Sequence, residues 1–130
     1  VAPAVPSVPA GPSAAPYGAQ IARDLDTIAA LSGRVFAPGL RGFGPEDARP
    51  LIALFTRAGC PPCTRAESEL RALARRAGIR ATVIDIDAHA DLAARLGLDM
   101  APSYVMADRM LRGHMPAVVL ERYIREAREE

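Results

Sequence analysis

Leu51–Phe55 is an unbroken apolar run, and the chain's only two cysteines, Cys60 and Cys63, stand just beyond it with Pro61 and Pro62 between them. Such a run reads as a strand buried on both faces, which requires a sheet covered by helices on either side. Thr64–Ala77 follows with Leu70, Leu73 and Ala74 at helical spacing, so the cysteines occupy the turn from a strand into a helix. At a helix N-terminus, unpaired backbone N–H groups and the helix dipole stabilise an anion. Cys60 is therefore the candidate nucleophilic thiolate, and Cys63 its resolving partner.

The segments downstream keep alternating in type. Gly78 ends the first helix, Ala81–Ile86 reads as a second strand, Asp87 as an N-cap, and Ala88–Leu96 as a helix closed by Gly97. Ser103–Met106 and Met110–Arg112 form a hairpin around Ala107, Asp108 and Arg109, and Pro116 opens a last helix through Val119, Leu120, Tyr123 and Ile124. That succession is an α/β layer architecture. Upstream, Gln20–Leu31 places Ile21, Leu25, Ile28 and Leu31 on one face of an amphipathic helix capped by Gly33. Its face packs on the same domain or docks a partner. A short strand is expected near Val35 and Phe36, then a loop marked by Pro38, Gly39, Gly42, Gly44 and Pro45.

One domain accounts for 130 residues, half of them apolar. Sixteen basic residues, all arginine, against 15 acidic ones leave a net charge of +1, which gives no field favouring nucleic acid or an anionic membrane. No segment has the roughly 20 continuous apolar residues that span a bilayer. Residues 1–18 form an Ala, Pro, Val, Ser and Gly tract with five prolines, a composition expected of a disordered linker. The expected organisation is linker at 1–18, N-terminal helix and loop at 19–50, and core at 51–130. A removed secretion signal or membrane anchor, or a trimmed end, would explain a start at Val1. The expected location is periplasmic or exported, with the cytoplasm as alternative.

Ala58, Gly59, Cys60, Pro61, Pro62 and Cys63 after a buried strand resemble the thioredoxin and glutaredoxin superfamily. Met100, Ala101, Pro102, Ser103 and Tyr104, just before the hairpin, stand where that superfamily carries its cis-proline loop. The resemblance covers roughly residues 50–127. It implies a mixed four-stranded sheet flanked by helices, Pro102 facing the Cys60 sulfur through a cis Ala101–Pro102 bond, and Ala101, Pro102 and Ser103 as the substrate-binding segment. It also implies thiol–disulfide exchange with protein thiols or disulfides and a redox partner protein, and no cofactor. In that chemistry Cys60 attacks a substrate disulfide and Cys63 resolves the mixed disulfide, or the pair donates its own disulfide in reverse. Pro61 and Pro62 fix φ at the first helical positions and carry no N–H, so the donor left for the thiolate is chiefly the Cys63 amide.

Departures from the family patterns narrow the reading. Where thioredoxins place a Trp before the first cysteine and a buried Asp in the preceding strand, this chain has Gly59 and Leu54. Proton removal from Cys63 then falls to water or a neighbour. Gly59–Pro61 is closer to glutaredoxins, yet their glutathione-binding acidic pair is replaced by Gly113, His114, Met115 and Pro116, which leaves glutathione as a substrate in doubt. Arg57 is either a cation near the site or a plain surface arginine.

Other readings compete. Cys60, Cys63, His89 and His114 nominally make a Cys2His2 set, but the histidines sit on separate elements and the prolines suit a helix start better than a zinc knuckle. Arg71, Arg75 and Arg76 line one helix, diluted by Glu67 and Glu69 and without interleaved aromatics, as on a solvated face. Met100, Met106, Met110 and Met115 either fill the core or line an apolar groove. A purely structural disulfide would close too short a loop to contribute much chain entropy. The main alternative to an enzyme is a non-catalytic thioredoxin-fold binding module in a secretion or conjugation assembly. Composition does not fix the oligomeric state.

Overall fold

The computed structural model describes residues 4–37 and 39–128. Four helices, α1 (Ala4–Val35), α2 (Pro61–Ala77), α3 (Ala90–Leu96) and α4 (Ala117–Arg128), cover a five-stranded sheet. Its strands are β1 (Gly42–Phe43), β2 (Pro50–Thr56), β3 (Arg80–Asp85), β4 (Ser103–Met106) and β5 (Arg109–Arg112), in the order β1-β3-β2-β4-β5. β2 and β3 are parallel and the other pairs antiparallel, which makes the sheet mixed.

The pleat of β2 divides the core in two. Ala53 and Phe55 point to one face, where they meet Ile28, Leu31 and Val35 of α1 and Leu92 and Leu96 of α3. Ile52 and Leu54 point to the other, against Leu70 and Leu73 of α2 and Leu120 and Ile124 of α4. Successive side chains of a strand must face opposite ways, so an unbroken apolar run is what a sheet clad on both sides demands. The N-terminal helix is thus part of the domain core. The Val35 carbonyl at its end accepts a hydrogen bond from the buried Thr82 hydroxyl at 3.2 Å, and Asp24 receives both guanidinium nitrogens of Arg112, each at 3.3 Å.

Several boundaries differ from the sequence reading. Residues 1–3 of the expected linker lie outside the described residues, and from Ala4 the chain is helical, against what prolines at 6, 9, 12 and 16 favour. Gly33 lies inside α1 and caps nothing, and Val35 ends the helix, so no strand forms at Val35–Phe36. The fifth strand comes instead from the glycine-rich stretch read as loop. A Cβ at Gly42 would collide with the Ala81 carbonyl oxygen, so only glycine lets β1 approach β3 this closely. Arg80 then pins the segment by donating to the Gly44 and Leu40 carbonyls at 3.1 and 3.3 Å. His89, not Asp87, occupies the N-cap position of α3. The capping carboxylate of that turn is Asp85, which accepts from the amides of Asp87 and Ala88.

Candidate active site

The carboxyl end of β2 delivers the chain through Arg57–Gly59 into α2, and Gly59 turns it at φ 69°. A side chain there would be strained, so glycine in place of the bulky residue expected of thioredoxins follows from the backbone path. Cys60 is the N-cap residue of α2, with extended φ and ψ of −120° and 98°. Its carbonyl accepts from the Cys63 and Thr64 amides at 3.0 and 3.1 Å, and its Sγ accepts from the Cys63 amide at 3.1 Å. Pro61 and Pro62 fill the first two helical positions and offer no N–H, so the sulfur's backbone donor is the Cys63 amide alone.

Cys60 and Cys63 are joined by a disulfide with their Cα atoms 5.2 Å apart. They are unequally accessible. Cys60 is half-buried at the surface, whereas Cys63 is 2% exposed. Across from them runs the Met100–Ser103 loop. The Ala101–Pro102 bond is cis, as the resemblance implies, and the Ala101 carbonyl oxygen stands 3.9 Å from Cys60 Sγ. In the disulfide that is a packing contact, since the sulfur carries no proton. The Pro102 carbonyl accepts from the Gly113 amide at 3.0 Å. The Ser103 hydroxyl is fully buried and donates to the Met100 carbonyl at 2.8 Å, so it ties the loop to its own backbone.

The structure brings together Gly59, Cys60, Pro61, Pro62, Cys63, Ala101 and Pro102. Arg57 turns elsewhere, its Nε 3.5 Å from Asp87 on the surface. Leu54 is wholly buried beside Leu70 and Tyr104, so that position of β2 supplies no carboxylate to Cys63. Nearby, the Tyr104 hydroxyl accepts from the Met115 amide at 3.5 Å, and burial pushes its phenol pKa up. His114 Nε2 lies 2.9 Å from Glu69 Oε1, and His89 packs its ring against the Asp85 carbonyl, so neither histidine joins the cysteines. Among the described residues no cluster of three or more His, Cys, Asp or Glu side chains could hold a metal. Met106 and Met110 are buried and Met115 partly so, while Met100, next to the loop, is 46% exposed.

An open cleft beside the Cys60 sulfur is lined along α2 by Thr64, Arg65, Ser68 and Glu69. Of these, the sequence reading singled out Glu69 alone, and only as a diluting charge. The available signal is helical spacing, since 65 and 69 share a face one turn apart. Arg71 belongs to another face, paired with Glu67 at 3.4 Å and stacked 4.5 Å over the Phe43 ring.

A cysteine pair at the start of a helix, opposed by a cis-proline loop and set on a mixed sheet clad on both faces, defines the thioredoxin-like class of fold. Comparison with known proteins is consistent with that class. A glutaredoxin-like domain family (DUF836) matches residues 51–112. A linker-deletion variant of Proteus mirabilis ScsC superposes with a TM-score of 0.78 at 15% identity, covering 94% of this chain and 90% of that one. The thiol-disulfide exchange protein alpha-DsbA2 of Wolbachia pipientis gives 0.70 at 13% identity over 84% and 98%. A Halobacterium salinarum thioredoxin variant gives 0.52 at 22% over 58% and 71%. At such identities the likeness establishes the fold. No curated protein matches the sequence.

Proposed function

We propose that the chain exchanges disulfides with protein thiols through Cys60 and Cys63, acting as an oxidant or isomerase in the periplasm or another exported compartment. The observation that carries this reading is the asymmetry of the pair: Cys60 is accessible, at an N-cap with an amide aimed at its sulfur, while Cys63 is buried behind it. In the oxidising direction a substrate thiolate attacks Cys60 Sγ, the Cys60–Cys63 bond breaks, and Cys63 leaves as thiolate. A second substrate thiolate then attacks the mixed disulfide and expels Cys60. The substrate has lost two electrons and the pair has gained them. In the isomerising direction the reduced Cys60 thiolate attacks a wrong substrate disulfide and is displaced when the substrate re-pairs.

The absence of a carboxylate at Leu54 supports an oxidant, since no buried negative charge on β2 raises the energy of the thiolate. An oxidising role fits an exported compartment better than the reducing cytosol. Among the described residues no helix is long and apolar enough to cross a membrane. The test is refolding of scrambled ribonuclease and reduction of insulin, with Cys60→Ala as control. Turnover abolished by the substitution is expected. A wild-type protein inert in both assays would favour the binding-module reading instead.

A further inference from the structure

The cleft beside Cys60 holds one arginine that makes no ion pair. Arg65 is exposed on α2, and among the described residues no carboxylate lies within ion-pair distance of it. Among the described residues seven of the other fifteen arginines have an acidic partner, so what sets Arg65 apart is its place beside Cys60. The natural partner of Arg65 would be Glu69, one helical turn on, but Glu69 is engaged by His114 at 2.9 Å. The Thr64 and Ser68 hydroxyls share the cleft wall, and Arg65 is the one cation of its lining, with the Glu69 carboxylate one helical turn further from Cys60.

We infer that Arg65 selects substrates, favouring polypeptide segments with an acidic side chain two or three residues from the reacting cysteine. This rests on the exchange chemistry proposed above. The spacing follows from the helix. Five residues separate Arg65 from Cys60, about 7.5 Å along the axis at 1.5 Å each. An extended substrate advances about 3.3 Å per residue, so a segment bonded at Cys60 and laid along α2 brings its second or third residue beside the guanidinium. Arginine meets a carboxylate there with two parallel N–H donors, which fixes direction as well as charge.

The test uses the full chain in its disulfide form and pairs of reduced two-cysteine peptides that differ only in carrying Asp or Lys at those two positions. The readout is the ratio of second-order rate constants for reduction of the Cys60–Cys63 disulfide. Any general effect of Arg65 on the cysteines cancels in that ratio. The acidic peptide should react about 3- to 10-fold faster, with the preference shrinking at high salt. Arg65→Ala should bring the ratio to about one, Arg65→Glu should invert it, and Arg65→Lys should keep much of it. Equal rates with both peptides in wild type, or a preference that survives Arg65→Ala, overturn the inference while leaving the exchange reaction intact. No reaction with either peptide overturns both. An Arg65 dependence confined to glutathione would assign the residue to a small anionic thiol and overturn the claim of a polypeptide substrate.

Discussion

Replacing Pro62 by alanine should make the disulfide more oxidising, and the local geometry sets by how much. The Cys60 sulfur receives one backbone hydrogen bond, from the Cys63 amide at 3.1 Å. An N-cap side chain can accept from the second and third helical residues, and the second is Pro62, which has no N–H. Pro62→Ala restores that donor. A hydrogen bond to a charged acceptor contributes about 1.5–3 kcal/mol, and the half-exposed position of Cys60 reduces the expected gain to about 1 kcal/mol. The gain falls on the thiolate of the reduced form, so it stabilises the dithiol over the disulfide. For a two-electron couple, where 30 mV corresponds to about 1.4 kcal/mol, the potential should rise by about 20 mV. In a glutathione buffer this is about a five-fold shift towards the dithiol, measured by trapping and mass analysis at several buffer ratios. Pro61→Ala is the internal control, because the first helical N–H lies outside the reach of the cap side chain. Both substitutions also free the unfolded chain, so each should lower stability by about 0.4–1 kcal/mol in a way the potential does not register. An unchanged potential in Pro62→Ala, or an equal shift in Pro61→Ala, would refute the argument that donor count at the cap sets the poise.

Three further outcomes are expected. Reduced protein should alkylate at Cys60 well before Cys63, which is 2% exposed, and Cys63→Ser should trap a mixed disulfide with a dithiol substrate; faster labelling of Cys63 would reverse the roles. Ser103→Ala should strand the Met100 carbonyl and cost about 1–2 kcal/mol, read as a fall of roughly 4–8 °C in Tm. Loss of substrate turnover with an unchanged Tm would instead make that hydroxyl a substrate contact. Burial raises the Tyr104 phenol pKa in the folded state, so above pH about 10 the unfolded chain gives up its proton first and stability drains as pH rises towards the folded value. Tyr104→Phe should flatten that alkaline loss in urea titrations at about pH 9 and 11, and an equally steep loss would show that Tyr104 is not its source.

Much of the architecture was legible because the pattern and the packing agree. The run at Leu51–Phe55 predicts a doubly covered strand, and β2 is buried by α1 and α3 on one face and by α2 and α4 on the other. Gly78 and Gly97 close their helices as expected, at φ 69° and 76°. The misses have a common cause, which is that single-residue signals carry no information about what lies across from them. Gly42 and Gly44 look like breakers, yet Gly42 is what admits β1 against β3. Gly33 looks like a cap, yet α1 runs on until Val35 is buried and Thr82 takes its carbonyl.

The same limit governs the site. Cys60, Cys63 and Pro102 announce themselves because each needs a particular residue type at a particular place in the chain. Ser103 and Arg57 do not, since both are defined by partners: a buried carbonyl for one, Asp87 for the other. Arg65 illustrates the converse. Its sequence spacing from Glu69 describes an ordinary i,i+4 surface pair, which would neutralise both charges. In the fold Glu69 instead meets His114, brought over α2 by the turn after β5, and Arg65 makes no ion pair in the cleft. Which partner Glu69 takes is therefore a property of the fold, involving a loop distant in the chain, and helical spacing alone does not announce it.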